Sequence, residues 1–304
     1  MSAPDSLPAI YITVLGSGTS AGVPTILCNC AVCASSDPRD QRLRPSILIR
    51  FDQPGFGERA VLIDTTPDFR AQALRARIQR IDAIVYTHSH ADHILGLDDV
   101  RPYNYRQKQA IPLYGTAATL DAIQRVFCYA FEDAPLGTAI PRLNLNPIDG
   151  NPFDLFGLEF TPITVLHGQS PILGFRFGAA AYLTDHSEIP EASKAKLRGL
   201  DVLFLDALRH RPHPTHSTVE RSLGSVEELK PRRAFFTHIC HDLPDEETNA
   251  ALPPHVRLAY DGLEILVGNG ADADAENDAD KRGENAGNDG KNTDMAENRA
   301  EPPN

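Results

Sequence analysis

The chain has 304 residues, of which 41% are hydrophobic and 23% charged, as in globular proteins. This length supports one large domain or two small ones. No apolar run reaches the roughly 18 residues that a membrane-spanning helix needs. The first nine residues lack the basic region and long apolar core of a signal peptide. We therefore expect a cytoplasmic protein without a membrane segment.

The formal net charge of −12 is unevenly distributed along the chain. Residues 269–304 contain ten acidic and four basic residues, a net charge of −6, and the preceding residues carry the other −6. The tail has too few large apolar side chains to offset the entropy lost on ordering. The sequence therefore predicts a folded domain over residues 1–268 and a disordered acidic tail over 269–304. The acidic domain also argues against broad nucleic-acid binding, which needs cations.

Apolar strands and amphipathic helices alternate in the first half of the chain. The patterns predict strands at 10–15, 46–51, 59–63, 81–86 and 113–114, and helices at 67–80, 93–105 and 116–131. A Pro-Gly turn at 54–57 joins the second and third strands. The loop 16–20 lacks the lysine and following helix of a nucleotide-binding loop, so we predict a tight turn at an active-site rim.

Polar donor residues follow apolar strands at several places along the chain, mostly in its second half. After loops and short strands at 132–160, strands are predicted at 159–166, 175–177, 180–183, 202–205, 234–236 and 264–267, and helices near 190–198 and 217–229. Asp64, His167, Asp185 and His238 each stand just past a predicted strand. A rigid sheet holds such side chains precisely, as a metal site requires.

Residues 87–93 read Thr-His-Ser-His-Ala-Asp-His and concentrate metal-binding side chains at the end of a strand. His88 and His90 are two residues apart and point to the same side of an extended chain. Asp92 and His93 follow where the chain turns into a helix. Imidazole and carboxylate together suit zinc, manganese or iron. The segment therefore predicts a site for two adjacent metal ions.

The whole set of donors resembles that of the metallo-β-lactamase-fold hydrolases, over residues 15 to about 267. This resemblance implies an αββα sandwich, an α/β fold, with a dinuclear site at one edge of its two sheets. It also implies that His88, His90 and His167 hold one metal, that Asp92, His93 and His238 hold the other, and that Asp185 bridges them. Asp64 would orient a ligand histidine, and Asp92 would also contribute to catalysis.

A closer resemblance rests on Gly16–Pro24, on the Cys-Asn-Cys-Ala-Val-Cys segment at 28–33, and on residues 35–39 continuing to Arg44. It is to the branch that includes the cyclic phosphodiesterase of the carbon–phosphorus lyase pathway. Clustered cysteines in a chain expected to be cytosolic favour a metal over disulfides. The branch implies a structural zinc held by Cys28, Cys30, Cys33 and His241. Cys240 remains an alternative fourth ligand.

The same branch uses a histidine after the Asp185 region as a proton donor or phosphate contact. His210, His213 and His216 are the candidates. Position relative to the following helix favours His216, and His213 is the second choice. Arg101, after the histidine cluster, is either a phosphate contact or a surface helix residue.

The resemblance implies a hydrolase with two divalent metals, zinc or manganese, and one structural zinc. The expected substrate is a small phosphate ester such as phosphoribosyl cyclic phosphate, cleaved by a phosphodiesterase, and a homodimer is expected. The segment 96–104 departs from the pathway enzyme and leaves the exact substrate open. The alternatives are a nuclease of the transfer-RNA 3′-end type, a lactone or thioester hydrolase, and a non-catalytic metal-binding protein.

Overall fold

The computed structural model describes residues 9–132 and 139–268. The predicted acidic tail lies outside the described residues, so both its disorder and the domain boundary at residue 268 remain predictions.

The first of two sheets has seven strands and carries the histidine cluster. Its strands are β1 (Ile10–Gly16), β2 (Ser46–Gln53), β3 (Gly57–Ile63), β4 (Ala83–Val85), β5 (Ile111–Gly115), β6 (Leu143–Pro147) and β14 (Glu264–Val267). Their spatial order is β14-β1-β2-β3-β4-β5-β6. Strands β3 to β6 run parallel to one another, so their carboxyl ends share one edge.

The second sheet also has seven strands. They are β7 (Phe153–Leu155), β8 (Leu158–His167), β9 (Ser170–Phe177), β10 (Ala180–Leu183), β11 (Val202–Asp206), β12 (Arg233–Thr237) and β13 (Val256–Leu258). The order is β13-β12-β11-β10-β9-β8-β7. Strands β10 to β13 are parallel.

Alternating side chains divide the apolar interior into three layers. Ile47, Ile49 and Phe51 on β2 point toward the second sheet, where they meet Phe175 and Phe204. The intervening Leu48 packs beneath helices on the outer face. A strand with apolar residues on both faces needs cover on both sides. The period of two therefore accounts for a sheet-on-sheet core with a helix layer outside each sheet.

Short helices cover the two outer faces. They are α1 (Phe69–Arg75), α2 (Ala91–Ile94), α3 (Arg101–Gln107), α4 (Ala117–Val126), α5 (Glu191–Lys194), α6 (Val219–Leu229) and α7 (Asp245–Ala251). Residues of α1 and α4 pack on the first sheet, and residues of α6 pack on the second. The predicted αββα sandwich is confirmed.

Several predicted element boundaries were wrong. Helix α1 ends at Arg75, five residues early, because Arg77 takes a left-handed φ of 49°. The helix predicted at 93–105 is broken into α2, a 3₁₀ turn and α3. Helix α7 and strand β13 were not predicted. No helix in the described part of the chain is long and apolar enough to cross a membrane.

Candidate dinuclear metal centre

The parallel strands of both sheets end at the candidate site. Asp64 follows β3, the histidine cluster follows β4, Asp185 lies two residues past β10 and His238 directly follows β12, whereas His167 is the last residue of β8. Open α/β sheets bind ligands beyond the carboxyl ends of parallel strands, where loops diverge. The tertiary structure therefore gathers residues that are up to 174 positions apart in the printed sequence.

Three of these strand-end residues have left-handed backbones. Their φ values are 62° at Asp64, 57° at Asp185 and 57° at His238. This conformation costs a residue with a side chain roughly 1–2 kcal/mol. It turns the chain sharply at the end of the strand, and all three side chains are buried. Such strain is typical of functional sites.

Two groups of donor atoms share one carboxylate. The first comprises His88, His90, His167 and Asp185, and the second comprises Asp92, His93, Asp185 and His238. Within each group the donor atoms all lie within 4.8 Å of one another. The Nε2 atom of His93 is 3.3 Å from both Asp92 Oδ2 and Asp185 Oδ2. The grouping is the one that the resemblance implied, with Asp185 common to both groups.

Outer hydrogen bonds hold the histidine rings in place. Asp64 Oδ2 lies 2.7 Å from His93 Nδ1, and its carboxylate also accepts from the backbone N–H and hydroxyl of Thr87. His167 Nδ1 donates to the carbonyl oxygen of Thr215 at 2.9 Å. A histidine fixed through Nδ1 presents Nε2 to a metal. Asp64 therefore lies where the sequence analysis placed it.

The donor set passes a simple test for metal binding. The Nε2 atoms of His88, His93 and His238 are buried and have no hydrogen-bond partner. Buried nitrogen atoms without partners are costly unless something else satisfies them. All three converge on Asp185, from 3.1 to 3.8 Å. Divalent cations between these imidazoles and carboxylates would satisfy every one of them.

Electrostatics favours positive charge at the same place. Burial alone would lower the pKa of His238, but the carboxylate of Asp185 raises it to about 10. Burial opposes ionisation of Asp185, yet the charges of His238 and His93 hold its pKa well below the ordinary range. Burial lowers the pKa of His88 strongly, so this imidazole is neutral and offers a lone pair. A metal cation would therefore neutralise the negative charge of these carboxylates.

His216 lies against both donor groups. Its ring centroid is 4.8 Å from that of His167 and 4.6 Å from that of His238. Its Nδ1 is 2.7 Å from Asp206 Oδ2, so Nε2 is the nitrogen left for other contacts. Burial lowers the pKa of His216 and raises that of Asp206, because removal from water disfavours the charged form of each group.

Asp206 was missed by the sequence analysis. It is fully buried at the last position of β11. The signal was available, because Asp206 follows an apolar run just as Asp64 and Asp185 do. A search for every acid at the end of an apolar strand would have found it.

The other three candidates for a phosphate contact, His213, His210 and Arg101, differ in their position relative to the donor groups. The His213 ring lies 5.0 Å from that of His216. His210 is exposed and pairs with Glu220 at 2.6 Å, away from the donor groups. The Arg101 guanidinium contacts Asp98 and the carbonyl oxygen of Ala139. The structure therefore favours the surface role for Arg101.

The cysteine cluster and His241 form a separate group. His241 Nδ1 lies 3.2, 3.6 and 3.3 Å from the sulfur atoms of Cys28, Cys30 and Cys33. All four donor atoms lie within 4.8 Å of one another, as a closed tetrahedral zinc site needs. Cys240 does not join this group, and its sulfur accepts from the backbone N–H of Asp242. Cys128 is exposed and lies outside this group.

Two buried charges anchor the turn that carries His238 and His241. Arg42 donates to the carbonyl oxygens of Cys240 and Leu243 at 3.0 and 2.7 Å. Asp261 accepts from the backbone N–H and hydroxyl of Ser17, both at 2.9 Å. The Ser17 carbonyl in turn accepts from the N–H of Ile239. The loop 16–20 is not the tight turn that was predicted, because Gly16 ends β1 and Gly18 forms a parallel bridge with Ile239. The turn follows at 19–22, where the N–H of Gly22 donates to the Thr19 carbonyl at 2.8 Å. The loop supports the ligand turn through its pairing with Ile239.

The comparison with protein families agrees with this geometry. Residues 59–239 match the family model described as the beta-lactamase superfamily domain. A solved structure described as a new diphosphatase from the PhnP family is 54% identical, with a TM-score of 0.79, and the match covers 85% of this chain and 97% of that one. The chain belongs to the PhnP family of the β-lactamase superfamily. Members of this fold bind divalent metals, and the protein is a metal-dependent hydrolase.

Other relatives of this PhnP-family chain carry different names. An octanoyltransferase of Porphyromonas gingivalis is 39% identical over 84% of this chain, but the chain spans only 51% of that relative's length. The structure of Zn²⁺-bound PqqB from Methylobacterium extorquens is 21% identical, with a TM-score of 0.67, covering 84% of this chain and 99% of that one. At 21% identity, the similarity to PqqB shows only that the two proteins share a fold.

Proposed function

We propose that this PhnP-family protein is a phosphohydrolase that cleaves a small phosphate ester or diphosphate, cyclic phosphodiesters included. The observation that carries this proposal is the pair of donor groups sharing Asp185. A shared carboxylate suits two adjacent divalent ions, zinc or manganese. The 54% identical relative described as a diphosphatase supports phosphoryl chemistry.

The residues divide into ligands and a proton donor. His88, His90 and His167 would hold one metal, Asp92, His93 and His238 the other, and Asp185 both. When bound, the two ions would supply an activated water and neutralise the phosphoryl oxygens. The Nδ1–H of His216 is held by Asp206, whose carboxylate would stabilise the imidazolium form against the effect of burial, as the carboxylate of a catalytic triad does. His216 would then deliver a proton from Nε2.

The reaction is a balanced hydrolysis. A water oxygen forms a bond to phosphorus, and the bond from phosphorus to the leaving oxygen breaks with its electron pair on that oxygen. The attacking water loses a proton to solvent, and His216 protonates the leaving oxygen and then recovers a proton from solvent. No oxidant or second substrate is needed. Proton delivery of this kind contributes typically 10²- to 10⁴-fold to rate.

His216→Ala tests this assignment. We expect the variant to retain its metals, because His216 is outside both groups of four donors, and to lose at least 100-fold in kcat on an alkyl phosphodiester. The loss should be much smaller with bis(p-nitrophenyl) phosphate, since nitrophenolate departs without a proton. Metal analysis and both assays are needed. Unchanged turnover of the alkyl ester would show that His216 is not the proton donor.

A substrate panel separates the remaining activities. The wild-type protein should hydrolyse bis(p-nitrophenyl) phosphate faster than lactones or an octanoyl thioester. Faster thioester or lactone cleavage would overturn the phosphohydrolase proposal. A gel-shift with structured RNA at physiological salt should show no complex, because the chain has a net charge of −12. Full metal loading without hydrolysis of any substrate would indicate a non-catalytic protein.

A further inference from the structure

The loop between β11 and α6, residues 209–216, is basic and has fixed ends. It reads Arg-His-Arg-Pro-His-Pro-Thr-His and contains no acidic residue. The N–H of Leu208 donates to the carbonyl oxygen of Ser217 at 3.1 Å, and that of Val219 to the carbonyl oxygen of Arg209 at 3.2 Å. The two ends of the loop are therefore hydrogen-bonded to each other. Arg209, at its start, and His216, at its end, both lie beside the end of β11. We call this segment the basic loop.

Besides His216, which pairs with Asp206, two of its basic side chains are already paired with carboxylates. Arg211 contacts Asp242 at 2.7 Å, and His210 contacts Glu220 at 2.6 Å. Both pairs are solvent-exposed and lie outside the donor groups. Arg209 and His213 remain, and these are the two side chains whose surroundings need explanation in a chain of net charge −12.

The Arg209 guanidinium is held in place by carbonyl oxygens of its own loop. It donates to the carbonyl oxygens of Arg211 and Pro212 at 3.2 and 3.5 Å. Within residues 9–132 and 139–268 no ion pair joins it to a carboxylate. An arginine has five N–H donors, so three stay available in a side chain whose direction the loop carbonyls fix. That geometry suits two-point binding of a phosphoryl group.

His213 adds a neutral donor beside it. The backbone N–H of Thr215 donates to His213 Nδ1 at 3.4 Å, so the ring proton sits on Nε2. Burial, with the charges of His216 and Arg209, lowers the pKa of His213 and keeps this ring neutral. Its only ring contact among the described residues is with His216, at 5.0 Å. His213 therefore lies farther from the two donor groups than His216 does.

The order of these residues suggests what they bind. His216 touches both donor groups, His213 touches His216, and Arg209 opens the same loop. We propose that Arg209 and His213 form a subsite for a second phosphoryl group, carried by the leaving group of the substrate. This inference rests on the proposed function, in which His216 protonates the leaving oxygen. The part of the leaving group beyond that oxygen would then contact His213 and Arg209, whose N–H donors favour an anion.

A matched pair of substrates tests the subsite. Methyl diphosphate and methyl p-nitrophenyl phosphate offer the same methylphosphoryl group, but the first has phosphate as its leaving group. We expect Arg209→Gln to reduce the kcat/KM ratio of the first substrate to the second by about 10- to 100-fold, the range for losing a charged hydrogen-bonded contact. His213→Ala should reduce the same ratio by less. Hydrolysis in ¹⁸O-water should place the label in methyl phosphate, which shows attack at the methylphosphoryl group.

Arg211→Gln is the matched control, because Arg211 is two residues away and committed to Asp242. Its ratio should stay within about twofold of that of the wild type. An unchanged ratio in Arg209→Gln would overturn the subsite, even if both activities fell together, since equal losses indicate a general defect. Label found in inorganic phosphate would also overturn it, because the second phosphoryl group would then be the one attacked.

A binding measurement keeps the subsite testable if neither substrate is cleaved. Calorimetry with methylenediphosphonate, which cannot be hydrolysed, should show at least tenfold weaker binding to Arg209→Gln than to wild-type or Arg211→Gln protein, each purified with its metals. Equal binding would refute the subsite independently of catalysis. If Arg209→Gln instead weakens binding of inorganic phosphate while leaving the substrate ratio intact, the loop binds free phosphate, and the leaving-group assignment is wrong.

Discussion

Individual residues of the site are held by short contacts that leave little freedom. His93 is fixed through Asp64, His167 through the Thr215 carbonyl and His216 through Asp206. In each case Nδ1 is the anchored atom and Nε2 is left for the site. Losing such an outer contact typically costs 10- to 100-fold in metal affinity or activity. Asp206 differs from Asp64 because its shortest contact with an imidazole is to His216, the proposed proton donor, at 2.7 Å, whereas His238 Nδ1 lies 3.8 Å away.

Replacing Asp206 should therefore affect turnover without affecting metal content. We expect Asp206→Asn to lower kcat on an alkyl phosphodiester by about 10- to 100-fold, because the amide cannot balance the charge of the His216 imidazolium. The double variant with His216→Ala should be no slower than His216→Ala alone. Additive losses would show that Asp206 acts through another group, and loss of metal would show a structural role.

Asp245 offers a pH test outside the candidate metal-binding groups. Burial raises its pKa to about 6, against about 3.9 in an unfolded chain. The folded state holds this proton more tightly, so the stabilisation is complete below pH 4 and is lost as the pH rises through 6. Relative to the wild type, Asp245→Asn should gain about 2 kcal/mol in unfolding free energy between pH 4 and pH 7.

Urea unfolding of both proteins at the two pH values measures this difference. Glu246→Gln, at the exposed neighbouring position, is the control and should change the difference by less than about 0.5 kcal/mol. A pH-independent difference for Asp245→Asn would mean that the carboxylate is ionised in both states across this range.

At the scale of elements, strand ends and short helices determine the site more than long helices do. Helix α2 has only four residues, Ala91–Ile94, yet it carries Asp92 and His93. It is held against the end of β3 by the hydrogen bond from Gly96 N–H to the Thr65 carbonyl, at 2.9 Å. Packing rather than helix propensity must stabilise so short a helix.

A side chain at Gly96 should disrupt this packing. A Cβ atom there would lie 1.9 Å from the carbonyl oxygen of Thr66, which is backbone and cannot rotate away. We expect Gly96→Ala to lower the free energy of unfolding by about 3 kcal/mol. Gly224→Ala is the control, because nothing lies within 4 Å of its Cβ position in α6. That control should raise stability by about 0.5–1 kcal/mol. Similar stabilities for the two variants would contradict the close approach.

At the scale of the whole molecule, the cysteine group connects distant parts of the chain. It joins residues 28–33 to His241, three positions after His238. Arg42 and the loop 16–20 hold the same turn. A metal that closes so long a loop contributes directly to folding, and here it would also hold the turn that carries a candidate active-site ligand.

Metal analysis of the purified protein should find about three ions per chain, two from the shared-carboxylate groups and one from the cysteine group. Cys33→Ser should keep two ions and lower the melting temperature by about 5 °C or more. Cys128→Ser, at an exposed cysteine, should keep all three. Three ions in Cys33→Ser, or two in the wild type, would contradict the structural zinc site.

The sequence by itself determined the fold class, the candidate ligands and their grouping. Local patterns supplied the strands, with their period of two, and the donor clusters at 88–93 and 28–33, whereas the fold class and the grouping of the ligands came from the resemblance to the metallo-β-lactamase-fold hydrolases. Only the tertiary structure showed that Asp206 contacts His216, that Arg101 is engaged at the surface and that, among the residues described, no carboxylate forms an ion pair with Arg209. These facts depend on contacts between residues distant in sequence. The period of a strand shows which side chains are buried, but the packing of both sheets decides which ones meet.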